Sequence, residues 1–407
     1  MAEAKSYRRL NSTKELKRVM TRYYALANYF RYWGKPLGRK LAWVTSGAPV
    51  ELLRAFNIYP VYPEQYGAMC GAEKVSGELC QVAEAHGFSQ DLCSYARSHI
   101  GSILWPELAP MKGLPKPDLL VACTNICGTV LKWYEALARI FQVPLIIIDT
   151  PYQPGEVTEH AQRYVLRQLE AAVETLEKVT KATLNERKLD AIAEKSRQAT
   201  TLWREIKDLC VAKPSPLNAP DLFIHMAPIV ALRGTDAAVK YYTLLKKEVE
   251  QRVEQGFGAL PEEKVRLVWD NIAIWPYIFR FFKMFSERGA CFVADTYTGG
   301  WAMELTGGNT METLAKVYTE VFLNRSAQFR ARQIIDQVRR FEADGFVMHS
   351  NRSCKPYSLV QEVIRRQVMQ ETGVPGLMVE ADMADPRAFA EEAARTRVQA
   401  FLETLGA

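Results

Sequence analysis

The sequence predicts an α/β fold: two Rossmann-like lobes with parallel sheets, plus an intervening helical subdomain. Three patterns carry this reading. Short apolar runs alternate with segments of helical period over residues 37–156, charged helix-period sequence fills 157–255, and the alternation resumes over 256–407. Strands that each lead into a helix imply parallel sheets with helices on both faces.

The elements follow in chain order. Residues 1–36 form an N-terminal helical arm, polar-rich and closed by Gly34, Lys35 and Pro36. In the first lobe "RKLAWVTS" reads as a strand passing through Gly47 and Pro49 into the helical "VELLRAF". "NIYPVYPE" is a second short strand. "KPDLLVAC" leads into "GTVLKWYEALARIF", where Val130, Trp133, Tyr134, Leu137 and Phe141 recur at helical spacing. "VPLIIIDTPYQPG" closes the set. The helical subdomain runs from "EHAQRYVLRQLEAAVETLEKV" through the "AKPSPLNAP" break to "DAAVKYYTLLKKEVEQRVEQG". The second lobe repeats the first pattern with "KVRLVWDNIAIWP", "GACFVADTYT", "DGFVMHSNRSC" and "VPGLMVEADMADPRAF".

Composition narrows the function classes. The 407 residues suffice for two or three domains with proper cores. Lys and Arg number 52 against 46 acidic residues, leaving +6 without any basic block, so no nucleic-acid partner is expected. A mild positive bias suits an anionic small molecule equally well. No apolar run approaches the roughly 18 residues of a membrane span. The start, "MAEAKSYRRLNSTKELKRVM", has no signal-peptide core, so the expected location is the cytoplasm. There is no GxxxxGK[ST], no GxGxxG after a strand, no HExxH and no GxSxG. The usual nucleotide-binding, zinc-protease and serine-hydrolase readings therefore lose support.

Eight cysteines in a reducing compartment point to metal or redox chemistry in place of disulfides. Three share one context. Cys127 lies between a strand and a helix, Cys354 follows "DGFVMHSNRS" and precedes "SLVQEVIRRQVMQE", and Cys93 opens a helix after Ser89, Gln90 and Asp91. Helix N-termini offer unpaired N–H groups and partial positive charge, which should lower a thiol's pKa toward thiolate. In open α/β sheets such loops gather at the carboxyl edge, where ligands bind. Three distant cysteines can therefore meet at one point. Three thiolates suit an iron–sulfur cluster with one open iron, or zinc completed by a fourth ligand. His349 is the nearest candidate for that fourth ligand, although a strand-end histidine is more often packed and hydrogen-bonded. Cys70, Cys80, Cys210 and Cys291 read as small buried hydrophobes, while Cys123 points into the core or lies just outside a cluster.

The stretches "LAWVTSGAPVELLRAFNIYPVYPE", "DLCSYAR", "TNICGTVLKWYE", "NRSCKPYSL" and "DMADPRAF", in that order across roughly 38–407, resemble the 2-hydroxyacyl-CoA dehydratase family. That family also contains the ATP-dependent benzoyl-CoA reductases. The chain looks most like the larger (α) catalytic subunit of such a dehydratase. The resemblance implies a heterodimer with a homologous second (β) subunit and an oxygen-sensitive [4Fe–4S] cluster, with Cys93, Cys127 and Cys354 as ligands by motif position. It also implies a separate ATP-dependent iron–sulfur activator protein that injects one electron, in keeping with the missing P-loop here.

The implied chemistry answers a specific difficulty. The β-hydrogen of a 2-hydroxyacyl-CoA is barely acidic, so simple elimination fails. By the resemblance, one-electron reduction of the thioester carbonyl gives a ketyl radical anion that expels the 2-hydroxyl, after which the β-hydrogen is far more acidic and the electron is recovered. Ser46 and Glu64, after the first and second strands, match family positions that handle the substrate hydroxyl and proton; the plain alternatives are a helix cap near Pro49 and a solvated loop carboxylate. Asp385 reads as an N-cap with Pro386 at the first helical position. Arg387 meets either a CoA phosphate or a surface ion-pair partner, and Arg352 and Lys355 either offset cluster charge or are simply solvated. Trp275, Tyr277, Phe279 and Phe281 wall an acyl pocket or pack in the core. Other functional readings stand beside dehydration. "LRGTDAAVKYYTLLKKEVEQRV" resembles the benzoyl-CoA-type reductase subunits, whereas the Ser46–Glu64 pair looks more like the dehydratases; a non-catalytic electron-relay partner and a structural zinc protein are the remaining two readings.

Overall fold

A computed structural model of the chain describes residues 10–33 and 39–406. The very start of the chain and the Gly34–Lys35–Pro36 break lie outside the described residues. Each apolar run becomes a strand. The first sheet holds β1 (Lys40–Val44), β2 (Ile58–Val61), β3 (Leu119–Cys123) and β4 (Leu145–Ile148), all parallel in the order β2-β1-β3-β4. The second holds β5 (Val265–Asp270), β6 (Ala290–Asp295), β7 (Gly345–Asn351) and β8 (Gly376–Ala381), also parallel, in the order β6-β5-β7-β8. The two sheets thus share one topology.

In each sheet the winding reverses between the first and third strands, β1/β3 and β5/β7. That reversal opens a crevice beyond the strands' carboxyl ends, where ligands bind in such folds. Central strands β3 and β5 are buried throughout, as helices on both faces require, whereas edge strand β4 exposes Ile147. Trp43 on β1 is fully buried and donates its indole N–H to Pro115 O at 3.0 Å. Burying a side chain of this kind contributes roughly 1.5–3 kcal/mol.

Between the sheets run the helices Glu159–Thr180, Glu186–Asp208 and Asp236–Glu254, with two shorter ones, Ala219–His225 and Ala227–Ala231. Thr158 caps the first long helix, accepting from Ala161 N–H at 3.2 Å, and Asn185 caps the second, accepting from Lys188 N–H at 3.0 Å. Glu159–Thr180 packs on β4 and on the later helix Thr310–Thr319, so it touches both halves of the molecule. The helix Ser12–Trp33 lies against Asp236–Glu254, and Tyr23 donates its hydroxyl to Pro60 O at 3.0 Å.

One fully buried ion pair ties these parts together. Glu51, on the helix Val50–Ala55, accepts from Arg233 Nε at 3.0 Å, from Ser196 Oγ at 2.6 Å and from the Tyr318 hydroxyl at 2.7 Å. Arg233 Nη2 also donates to the Tyr318 oxygen at 2.8 Å. A buried charge of this kind persists only when paired and hydrogen-bonded, and each Glu51 oxygen has such partners.

Candidate active site

The site is built from loops at the carboxyl edges of both sheets. After β1 the chain turns through Ser46 and Gly47; after β3 it turns through Asn125 to Cys127. Asn125 Nδ2 donates to Gly47 O at 3.0 Å and to Tyr318 O at 2.9 Å, pinning the two loops to each other and to the helix Thr310–Thr319. Gly47 is required by this close approach, since a Cβ there would lie 2.2 Å from Asn125 Oδ1.

Each of the three selected cysteines stands at a helix start. Cys93 is the N-cap of Ser94–Leu104, Cys354 is the N-cap of the short helix Lys355–Ser358, and Cys127 precedes Gly128, the N-cap of Thr129–Phe141. All three are half-buried and line one cavity of about 150 Å³, together with Ser46 and Glu64. The five residues singled out in the sequence therefore converge, two thiols coming from the first lobe and one from the second. Neighbouring serines hold the two cysteine turns in register across that seam: Ser94 N–H donates to Ser353 Oγ at 3.0 Å, and the two hydroxyls lie 3.2 Å apart. Ser353 N–H in turn donates to Asp382 Oδ2 at 3.1 Å.

Glu64 occupies the first turn of the helix Pro63–Ala72, and Ser46 donates to its Oε2 through both the backbone N–H and the hydroxyl, the latter at 2.7 Å. Burial pushes the Glu64 carboxyl above its ordinary value, and the two bonds from Ser46 only partly offset this. The helix Val50–Ala55 has Pro49 at its cap with no side-chain bond, so Ser46 is not a helix cap. Glu64 is likewise no solvated loop carboxylate.

With this cavity described, relatives can be weighed. The chain matches the family described as 2-hydroxyglutaryl-CoA dehydratase, D-component, over residues 45–405. It is 35% identical to the (R)-2-hydroxyisocaproyl-CoA dehydratase alpha subunit of Clostridioides difficile, across 93% of each chain. It is 31% identical to the alpha subunit of lactoyl-CoA dehydratase from Anaerotignum propionicum, across 92% of each. The chain belongs to this dehydratase family. Identity to one of the subunits of benzoyl-CoA reductase from Thauera aromatica is 29%, over 96% of this chain and 94% of that one. The named dehydratases of the family are hydro-lyases.

In this dehydratase-family chain the thiols depart from one expectation. Helix N-termini alone would hold them low; burial instead raises all three. Cys93 is pushed well up by burial and then by Cys354 and Cys127, Cys127 reaches about 11 and Cys354 about 12. Backbone N–H groups of Tyr95, Ala96, Thr129, Val130 and Tyr357 do pull the other way, as helix starts should, but burial outweighs them. Among the described residues no three Cys, His, Asp or Glu side chains close on a single ion position. The thiols frame a space instead. Three thiols on one cavity are the donor type that an iron–sulfur cluster takes, each thiolate on a different iron.

Other candidates fall elsewhere. His349 is buried, its Nδ1 2.7 Å from Ile272 O, and it does not line the cavity. Cys70, Cys80, Cys210 and Cys291 are buried, and Cys123 points into the core with its sulfur 3.7 Å from Thr150 Oγ1. Arg352 and Lys355 are exposed, and Lys355 Nζ donates to Arg352 O at 3.0 Å. The cation acting on Cys354 is Arg330, buried and bonded to Pro356 O at 2.7 Å and Tyr357 O at 3.1 Å. Of the aromatic run only Trp275 lines the cavity; Phe281 is core, Phe279 is exposed, and Tyr277 packs on Phe389. Asp385 does cap the turn Pro386–Ala388, and Arg387 forms ion pairs with Glu84 and Asp385, both at 2.6 Å. Asn125, Tyr297 and Tyr318 escape sequence reasoning: their places depend on partners far away in the chain, and no local pattern marks them. Among the described residues no helix is long and apolar enough to cross a membrane.

Proposed function

We propose that this chain is the α-type catalytic subunit of a radical (R)-2-hydroxyacyl-CoA dehydratase, which removes water from a 2-hydroxyacyl-CoA to give the 2-enoyl-CoA. The observation that carries the reading is the meeting of Ser46, Glu64, Cys93, Cys127 and Cys354 on one cavity within a dehydratase-family chain. Cys93, Cys127 and Cys354 would hold a [4Fe–4S] cluster. With one iron left open, that group would supply Lewis acidity and one-electron chemistry toward the thioester.

The chain's own residues have distinct tasks in this reading. Ser46 Oγ orients the substrate hydroxyl. Glu64 carries the proton that leaves the β-carbon and the proton that departs with the hydroxyl as water, a transfer that suits a carboxyl raised toward neutrality by burial. Apolar walls exclude bulk water from the reacting centre. The names of the relatives as alpha subunits support a homologous β-type partner, and the missing P-loop supports a separate ATP-dependent iron–sulfur activator. An oxygen-sensitive group and eight unpaired thiols favour the reducing cytoplasm.

A reductase of the benzoyl-CoA type is a second reading, supported by the 29% likeness to a chain of such an enzyme. Anaerobic co-expression with the partner chain and activator separates the readings. Iron and sulfide are assayed first, then water loss per electron consumed. Dehydration predicts many turnovers per electron, and ring reduction predicts two electrons per product. Turnover that survives Ser46→Ala and Glu64→Gln with iron intact would leave this chain as an electron relay only.

A further inference from the structure

Membership of the family leaves the acyl group open, and the wall of the cavity answers part of that question. We propose that the site selects an uncharged hydrocarbon acyl chain and rejects one that ends in a carboxylate; this rests on the acyl-CoA reading above and deepens it. Much of the remaining lining is apolar. Phe223, Met226 and Val230 come from the helical segment between the sheets, Trp301 and Val321 from the second lobe, and Met383 from the loop after β8. Phe223, Tyr297 and Trp301 form a continuous aromatic surface, with ring centroids 6.1 Å and 5.3 Å apart in succession.

Among the described residues no lysine, arginine or histidine lines this cavity. The cations behind its walls are already engaged. Arg233 is committed to Glu51 and Tyr318, Lys207 to Asp295 at 2.7 Å, and Arg330 to two backbone carbonyls. The polar groups that remain bring no positive charge. Trp275 Nε1 donates to the Tyr95 hydroxyl at 2.5 Å, the Tyr318 hydroxyl is held by Glu51, and the Gln65 amide is neutral, so it brings no counter-charge. Glu64, the one acid among the described lining residues, supplies no counter-charge in either protonation state.

A carboxylate carried into such a wall loses its hydration and gains no counter-charge, whereas a hydrocarbon chain gains by leaving water. The structure therefore predicts at least roughly a hundredfold preference in affinity, the lower end of what an unpaired buried charge costs. Calorimetry on the anaerobically purified complex, with saturated thioesters that lack the leaving hydroxyl, reads this without any turnover. The probes are isocaproyl-CoA, glutaryl-CoA and free CoA. Isocaproyl-CoA is expected to bind a hundredfold or more tighter than glutaryl-CoA, and glutaryl-CoA no tighter than free CoA. Affinities for the two thioesters within threefold, or in reverse order, overturn the selectivity while leaving the acyl-CoA reading intact. Binding of none of the three overturns the acyl-CoA reading itself, and this inference with it.

Discussion

Arg233→Met removes the cation from a site where Glu51 has no access to water. Both side chains are fully buried, and after the change Glu51 keeps the Ser196 and Tyr318 hydroxyls and its own backbone N–H as donors but no cation. Removing one partner of such a pair costs about 3–5 kcal/mol. The double variant Glu51→Gln/Arg233→Met leaves an amide that still accepts from Ser196, and it should recover about half of that loss. Burial alone would raise the Glu51 carboxyl; Arg233, Ser196 and Tyr318 together hold it below its ordinary 4.5. Its folded value is thus depressed, so the pair's contribution is complete above pH 4.5 and fades as pH falls below it. In Arg233→Met the sign reverses. The unpaired carboxyl rises, and acid that protonates it relieves the variant, so the deficit shrinks between neutral pH and pH 4.5. Urea unfolding followed at two wavelengths, to check for a single transition, measures each quantity. A single variant within 1 kcal/mol of the wild type, or a double variant no milder than the single, would refute the argument.

The remaining expectations are narrower. Ser46→Ala and Glu64→Gln should each lower kcat by about 10²–10⁴, the usual weight of positioned proton transfer, with iron content unchanged; loss of iron in step with activity counts against their proposed roles. Gly101→Ala gains about 1 kcal/mol of helix propensity, yet its Cβ would lie 1.9 Å from the Leu79 carbonyl oxygen, so the helices Ser76–Ala85 and Ser94–Leu104 must part. A net loss of about 2 kcal/mol is expected, read as a lower melting temperature than for Gly128→Ala, where a Cβ meets nothing within 4 Å. His99 packs edge-on against Trp43 at 4.7 Å, neither ring nitrogen has a partner, and burial pushes its pKa down to about 3. The unfolded chain takes up that proton near pH 6.5 and the folded one does not. Stability should therefore fall by about 1.4 kcal/mol per pH unit below 6.5. His99→Phe should remove one proton's worth of that slope, and equal slopes between pH 7 and 5 would show the histidine is protonated in the fold.

What the sequence could and could not disclose follows from the range of each interaction. All eight strands were legible because runs such as Leu119–Cys123 and Val265–Asp270 are buried at every position and end in polar turns. The cysteine junctions were legible for the same local reason. Electrostatics were not. The helix-start argument for the thiols is local and correct in sign, but burial, which depends on the whole fold, is larger. Arg352 and Lys355 adjoin Cys354 in sequence and face solvent, while Arg330, from the helix Ala327–Arg340, sits behind it. Asn125 reaches partners 78 and 193 positions away, a relation no spacing rule contains.

The seam between the lobes also dictates an order of events in the cell. While the polypeptide leaves the ribosome, Cys93 and Cys127 are made and their sheet can form long before Cys354 exists. A nascent first half therefore presents two thiols toward an unfinished wall. The cavity that the three thiols line is complete only once Ser94 and Ser353 have met.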